Sequence, residues 1–405
     1  MSLDAWARVP FAIRPSTPVA ARRVAALVFA AQGASVAALS TTVPAVTEHL
    51  HITPALTTVT MAGIALLAGV GSFAGLAVVR RQGPVAAMRG AVLAVALALL
   101  VIGWAPGWTT ALCGYALFGL AVGALDVGVN TRAAAIERAY GRSIFASFYA
   151  AWSAAGVLAA LATAATARLG WSVGYTLTAQ ASLVLLLVCC VRGHTLPRAA
   201  DENPPSSVDL DTPAHIAETL GRRVWVRLLP FGLVLLVVYV VDSTVSAWSA
   251  VYLRQTLSAS LTVAPLAYAA YQAGTVTGRS CADRLVRRIG ATRVVRTALL
   301  LTAGAMAGLA TAPSWPFAVL AAAGVGLGAS SLTPLCQASA ARLNPAASEA
   351  ILARLNLFNY VGVLTGGAVS GILGTAGHFR FAYAAPAALA VLLLTCAPYF
   401  ARAQG

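Results

Sequence analysis

Long apolar runs recur along the whole of this 405-residue chain, and short polar or turn-forming segments separate them. A helix needs roughly 20 mostly apolar residues to cross the hydrocarbon core of a bilayer. Twelve segments reach this length, and their approximate bounds are 24–45, 56–79, 87–105, 109–131, 143–167, 172–191, 228–252, 261–281, 292–311, 316–340, 351–376 and 380–400. The pattern therefore predicts an all-α integral membrane protein with twelve transmembrane helices.

A polar segment in the middle of the chain divides these helices into two sets of six. It contains five acidic residues and the sequence NPPS, and such a segment cannot span a membrane. We therefore expect four parts: a cytoplasmic tail (1–22), an N-terminal six-helix bundle (23–192), a cytoplasmic linker (193–226) and a C-terminal six-helix bundle (227–401). After the second helix of each set, a basic loop ends in glycine, RRQG in the first and RLVRRIG in the second. This correspondence suggests a duplicated unit, so the two bundles are expected to be pseudo-symmetric.

The composition agrees with a membrane environment and excludes several other classes. Hydrophobic residues make up 59% of the chain and charged residues only 10%, which is far from a soluble globular protein. The formal charge of +15 comes from arginines in short blocks between apolar runs, so the sequence does not predict nucleic-acid binding. In the twelve-span arrangement, 24 of the 27 arginines fall on one side of the membrane. Because arginine-rich short loops stay in the cytoplasm, both termini are expected there, in a multi-pass protein of the cytoplasmic membrane.

The sequence contains no pattern that predicts a cofactor, a metal site or an enzyme. The six cysteines lie within or at the ends of apolar runs and lack the spacing of a metal site or a disulfide framework. No GxxxxGK[ST], HExxH or GxSxG motif occurs, so neither ATP coupling nor hydrolysis is expected.

Two acidic residues, Asp126 and Asp242, remain inside the predicted spans, whereas the others fall in tails, loops or helix ends. Ionisable side chains at membrane depth are costly and usually face a water-filled cavity or a partner. Asp242 lies near the middle of the seventh predicted helix, in VVYVVDSTVSAWSAVYLR, too deep to reach an interface easily. A carboxylate there can take up and release a proton, which a proton-coupled carrier needs. The alternative is a hydrogen bond between helices that serves assembly.

Asp126 lies in the fourth predicted helix, one turn before Asn130, in ALDVGVNTRAAAIER. The i, i+4 spacing places both side chains on one face of the helix. This face is either a cavity-facing patch for proton or substrate coupling, or a polar latch between helices. Which of the two aspartates carries a proton stays open.

Other polar and aromatic residues at membrane depth complete the predicted pathway. Any of them can instead be an inter-helix hydrogen bond or a packing aromatic. The expected contacts to substrate or proton are Gln32, Asn356, Asn359, Trp248, Tyr271 and Gln272.

The loop after the eighth predicted helix has the composition of a cytoplasmic gate. An aspartate at one helix end can pair with arginines or cap a neighbouring helix, and it can be released when two halves rock. The alternative is that these charges only set topology. The predicted gate segment comprises Gly278, Arg279, Asp283, Arg284 and Gly290.

Residues 24–400 resemble the major facilitator superfamily, on the basis of twelve spans, a central linker and the loop between helices 8 and 9. Gly278, Asp283, Arg284 and Gly290 match the signature of that loop, whereas the first-half copy has Arg80 where an acid is expected. The segments GALDVGVN, SFYAAWSAAG and DSTVSAWSAVYLR are similar to a bacterial branch distantly related to the fucose-proton symporter. This resemblance implies that helices 1, 4, 7 and 10 line a central cavity that both aspartates face.

We therefore expect a secondary active transporter that moves a small organic solute by alternating access, coupled to protons, as a monomer. The alanine-rich, lysine-free composition suggests a GC-rich bacterial genome, in which exporters are common, and this favours efflux of a drug or metabolite. Two alternatives stay open. One is an uptake symporter for a sugar-like solute, and the other is a non-transporting receptor or assembly protein that keeps the fold.

Overall fold

The computed structural model describes residues 18–140, 144–189, 222–344 and 348–402, and the regular structure in these ranges is helical. The N-terminal six are α1 (Pro18–His49), α2 (Pro54–Gln82), α3 (Pro84–Gly103), α4 (Trp108–Tyr140), α5 (Phe145–Arg168) and α6 (Val173–Cys189). The C-terminal helices are α7 (Arg222–Gln255), α8 (Pro265–Ile289), α9 (Ala291–Thr311), α10 (Trp315–Ala329), α11 (Leu332–Ala341), α12 (Ser348–Thr375), α13 (Phe379–Leu392) and α14 (Tyr399–Arg402). The predicted tail and linker fall mostly outside the described residues.

Twelve membrane spans, as predicted, account for these helices. Ten segments are long and apolar enough to cross a bilayer, while α6 is shorter and α8 ends in the basic sequence DRLVRRI. The tenth span consists of α10 and α11, which break at Ser330 and Ser331. Pro334 explains the break, because its nitrogen cannot donate to the carbonyl four residues earlier. The twelfth span consists of α13 followed by a 3₁₀ turn, Leu393–Cys396, and Pro398 precedes the short α14.

The helix pairs that pack together in the first half correspond to the pairs that pack together in the second half. This correspondence confirms the predicted pseudo-symmetry. In the first half, α4 packs on α2 and α3, α1 on α5, and α3 on α6. In the second half, α10 packs on α8 and α9, α7 on α12, and α9 on α13. Each half encloses a hydrophobic core of its own.

Glycines at equivalent positions allow the closest of these approaches. A Cβ atom on Gly71 of α2 would lie 2.0 Å from the carbonyl oxygen of Leu120, and one on Gly123 of α4 would lie 1.9 Å from a carbonyl oxygen of α2. Gly274 and Gly326 repeat the arrangement between α8 and α10, with distances of 2.1 and 2.0 Å. Both pairs are separated by the same number of positions in the sequence. Small residues of this kind let helix backbones approach in membranes.

The two halves meet through α2 with α12, α5 with α8, and α1 with α7. The interfaces of α2 with α12 and of α5 with α8 are equivalent under the pseudo-symmetry. We call the face that contains Gly83 and Gly290, with the ends of α4 and α6, the arginine-rich face. The other face carries the loops 50–53, 104–107, 169–172, 256–264, 312–314 and 376–378, and we call it the opposite face.

Candidate functional site

Asp126 lies at mid-length of α4 and faces the space between the two halves. Gln32 of α1 donates a hydrogen bond from Nε2 to Asp126 Oδ1 at 3.2 Å. Asn130 Nδ2 donates to the backbone oxygen of Asp126 at 2.9 Å, on the face that the i, i+4 spacing predicted. Asp126 is exposed to solvent although it belongs to a 33-residue helix. Tyr360 of the second half is within electrostatic range of Asp126, so the carboxylate lies on the side of α4 that faces the second half.

Asp242 belongs to α7, in the other half, and is half-buried. The hydroxyl of the buried Tyr271 on α8 donates a hydrogen bond to Asp242 Oδ1. The guanidinium of Arg279, two turns further along α8, is within electrostatic range of the Asp242 carboxylate. Asp242 therefore has both a phenol donor and a cation beside it.

Arg279 connects the second half to the first. Its Nη1 donates to the carbonyl oxygen of Tyr149 at 3.4 Å and to the hydroxyl of Ser153 at 3.3 Å, both on α5. Its guanidinium carbon also lies 5.7 Å from the centroid of the Tyr149 ring, a cation–π distance. The arginine that sequence reasoning placed in the gate segment thus lies beside Asp242 and bridges the halves.

Three tyrosines that sequence reasoning missed surround the aspartates. Tyr239 is within electrostatic range of Asp126, Asp242 and Arg279, and the hydroxyl of Tyr149 donates to Asn130 Oδ1 at 3.4 Å. Tyr239 could have been found, because it lies three residues before Asp242 on the same helix face. Tyr149 and Tyr360 belong to α5 and α12, and no local spacing connects them to α4.

The known proteins most informative for this arrangement are membrane transporters. The family model of the Major Facilitator Superfamily matches residues 231–404. An uncharacterised MFS-type transporter of Yersinia pestis is 26% identical over 310 residues, 76% of each chain. The membrane protein MosC of Rhizobium meliloti is 27% identical over 305 residues, 75% of this chain and 72% of MosC. An uncharacterised transporter of Sinorhizobium fredii is 26% identical over 364 residues, 88% of this chain and 92% of that one.

Solved structures have the same fold over nearly the whole chain. The nucleoside transporter NupG aligns with a TM-score of 0.72 at 12% identity, over 95% of this chain and 99% of NupG. A bacterial homologue of the human lysosomal transporter Spinster, in an inward-facing and occupied conformation, aligns with a TM-score of 0.64 at 14% identity, over 94% and 95%. The family model thus matches the second half of the chain, and the solved structures extend the shared fold to the first half. Membrane transport is the activity of this superfamily. The relation to the fucose-proton symporter branch stays a prediction.

The other predicted pathway residues lie at varying distances from the aspartates. Gln272 is buried where α8 meets α5 and donates to the hydroxyl of Tyr268 at 3.2 Å. Trp248 lies inside the second half, where its Nε1 donates to the carbonyl oxygen of Gly367 at 2.9 Å. Asn356 and Asn359 are half-buried on α12. Within the described ranges, no hydrogen bond joins these two asparagines to either aspartate.

The residues of the predicted gate segment contact different parts of the structure. Gly278 packs against α10, where an added Cβ would lie 2.1 Å from the hydroxyl oxygen of Ser330. Gly290 separates α8 from α9 with a φ of 83°, a conformation that favours glycine. Arg284 is exposed at the arginine-rich face, and the side chain of Asp283 lies outside the described part of the structure. A gating role for the segment stays a prediction.

Contacts between the halves close the space around the aspartates at the opposite face. Glu48 at the end of α1 and Arg254 at the end of α7 form a two-point ion pair. Beside it, the hydroxyl of Thr58 lies 3.0 Å from the carbonyl oxygen of Gly371 and 2.8 Å from the hydroxyl of Thr375.

Glu48→Gln is expected to loosen this closure. Because partly exposed ion pairs contribute about 0.2–1 kcal/mol, we expect the population that is open at the opposite face to rise by up to about fivefold. The measurement is the distance distribution between spin labels at His51 and Gln255 by double electron–electron resonance. The charge exchange Glu48→Arg with Arg254→Glu should restore the original distribution. An unchanged distribution in the single variant would remove the pair from the gate.

Proposed function

We propose that this protein is a secondary active transporter that moves a small organic solute across the cytoplasmic membrane by alternating access, coupled to protons. The proposal depends above all on one observation. Two intramembrane carboxylates, the exposed Asp126 of the first half and the half-buried Asp242 of the second, are both within electrostatic range of Tyr239.

Proton coupling is supported by the surroundings of these carboxylates. A charged group at membrane depth is retained at a cost of several kcal/mol, so its retention favours a role in an ion or substrate pathway. The Asp126 carboxylate receives a hydrogen bond from the amide of Gln32 and the Asp242 carboxylate receives one from a phenol, and neither aspartate is fully buried. Each can therefore exchange a proton with the water in the cavity. A purely structural carboxylate would instead have all its oxygens paired within the protein.

Alternating access is supported by the arrangement of the halves. They are pseudo-symmetric bundles that meet through equivalent helices, and few polar contacts hold them together at the opposite face. In folds of this plan, rocking of one bundle against the other exposes a fixed midplane site to each side in turn. Breaking the Glu48–Arg254 pair and the Thr58 contacts would open that face.

Export stays our favoured direction, on the compositional argument. Because arginine-rich loops stay in the cytoplasm, the arginine-rich face is the cytoplasmic one in this proposal. Uptake of a sugar-like or nucleoside-like solute is the second candidate. Its support is the presence of amides beside Asp126, which suit hydroxyl groups, and the fold shared with a nucleoside transporter.

Solute-driven proton movement in proteoliposomes tests the proposal. The purified protein is reconstituted with an internal pH indicator and challenged with sugars, nucleosides, amphipathic drugs and amines. We expect one solute class to drive proton flux in the wild type and Asp242→Asn or Asp126→Asn to abolish it. Asp242→Glu and Asp126→Glu are the matched variants, which keep a carboxylate and should retain measurable flux.

Transport that is independent of protons would contradict the proposal. If a solute crosses the membrane with no proton flux, and Asp242→Asn transports it at the wild-type rate, the carboxylate is structural and the proposed coupling is wrong.

A further inference from the structure

The two aspartates of the central cavity differ in how their charges are compensated. Asp242 has the guanidinium of Arg279 within electrostatic range and a hydrogen bond from the Tyr271 hydroxyl. Asp126, by contrast, is adjoined by the neutral amides of Gln32 and Asn130 among the described residues. The first aspartate has a built-in cation, and the second does not.

The neighbouring arginine on α4 does not change this contrast. Arg132 follows Asp126 by six residues, so on a helix with 3.6 residues per turn the two side chains point about 120° apart. It is buried within the first half, whereas Asp126 is exposed to the cavity. The two side chains therefore leave α4 in different directions.

Aromatic rings border the uncompensated carboxylate. Tyr149 and Tyr360 are both within electrostatic range of Asp126, and their side chains are 38% and 65% exposed. Two half-open rings from opposite halves beside a carboxylate can surround a small cation, because the face of an aromatic ring attracts positive charge. Arg279 already lies over the ring of Tyr149, so the more exposed ring of Tyr360 has the more open face for a solute cation.

The charge of the cavity then selects its occupant. With both carboxylates ionised, the described groups of the cavity include two negative charges and one positive charge. When the cavity closes around a solute, an unpaired carboxylate at this depth is costly, whereas a paired one is tolerated. Either a proton or a cationic solute can neutralise Asp126, and an anionic solute would add to the imbalance.

We infer that Asp126, with the rings of Tyr149 and Tyr360, binds the protonated amine of a small organic cation, which competes with a proton for this carboxylate. The inference rests on the proposed transport function and names its substrate class. Competition for one carboxylate means that the cation displaces a proton on binding. Proton and solute therefore move in opposite directions, and the cycle is an exchange.

Matched pairs of probes that differ in charge and hardly in shape test the inference on the purified full-length protein. The pairs are choline with 3,3-dimethyl-1-butanol, and phenethylamine with 2-phenylethanol. Binding is followed by tryptophan-fluorescence thermal unfolding, and proton release by a pH indicator in weakly buffered detergent solution. We expect at least one amine to bind and to release protons, and its neutral partner to do neither.

Variants assign the effect to the carboxylate and to the ring. Asp126→Asn should weaken amine binding by about tenfold or more, because it removes the partner of a desolvated charge. Arg296→Gln, at an exposed arginine of α9, is the control variant and should leave amine binding unchanged. Tyr360→Leu should weaken binding by about two- to fivefold and Tyr360→Phe should not, because the ring and not the hydroxyl attracts the cation. Asp126→Glu keeps the charge and should still bind the amine. Asp126→Asn would then lose binding because it lacks the charge and not because it misfolds.

Three results would overturn the inference. They are equal binding of a neutral partner, full amine binding by Asp126→Asn, and no binding of any of these amines at millimolar concentration. The proposed function is tested separately. Proton-coupled flux of a neutral solute in proteoliposomes would leave coupled transport in place and refute the cation site, whereas amine binding without any proton-coupled flux would refute coupled transport alone.

Discussion

Gly71→Ala is expected to lower the stability of this protein by about 1–3 kcal/mol or more, and Gly69→Ala on the same helix is expected to cause no loss. A Cβ atom at Gly71 would lie 2.0 Å from the carbonyl oxygen of Leu120, so α2 and α4 must move apart to admit it. At Gly69, no atom lies within 4 Å of the added Cβ, and alanine is the better helix former. Tryptophan-fluorescence thermal unfolding in detergent measures both.

The pseudo-symmetry supplies a second test of the same idea. Gly274→Ala between α8 and α10 should be as damaging as Gly71→Ala, and Gly304→Ala, whose Cβ would meet open space, should be harmless. Glycine stripes bring helix backbones together in membranes, so these losses should appear as lower unfolding temperature and poorer yield of monodisperse protein. Equal unfolding temperatures for Gly71→Ala and Gly69→Ala would contradict close packing of α2 on α4.

Arg279→Gln is expected to reduce proton-coupled transport by about tenfold or more, with a much smaller effect on stability. The substitution removes the cation beside Asp242 and the hydrogen bonds to Tyr149 and Ser153 in the other half. An uncompensated Asp242 would hold its proton more tightly, because its ionised form loses its partner, and the release step of the cycle would slow. Solute-driven proton flux in proteoliposomes measures the loss.

Two further variants separate charge from geometry. Arg279→Lys keeps the charge but not the planar guanidinium that contacts α5, so partial activity is expected. Arg296→Gln on α9, an exposed arginine of the same half, is the matched control and should transport normally. Wild-type flux in Arg279→Gln would mean that Arg279 only joins the helices and takes no part in coupling.

The sequence indicated part of the candidate site. Asp126 and Asp242 were identified as intramembrane acids because charge is rare at that depth, and Asn130 was placed on the face of Asp126 by helical spacing. Tyr271 was named as a polar residue at depth, but its bond to Asp242 was not, because α7 and α8 come together only through packing. Gln32 and Asp126 are 94 positions apart, and no periodicity relates them.

Arg279 has contacts that the sequence did not show. In the sequence it stands between Gly278 and a run of loop arginines, and this neighbourhood favoured a gate. In the structure it lies about two turns beyond Tyr271 on α8, a spacing that returns its side chain to the face of Asp242. The helix continues to Ile289, and packing between the halves brings Arg279 to Tyr149 and Ser153 of α5.

The sequence by itself determined the twelve spans and the duplication, because the thickness of a bilayer and the cost of unpaired backbone groups leave a long apolar segment few alternatives. The tertiary structure alone decided which aspartate has a cation beside it, which tyrosines border the other, and which face of the molecule is closed. These features depend on contacts between helices distant in the sequence. Side-chain packing sets such contacts, and the apolar pattern that identifies a span carries no information about its neighbours.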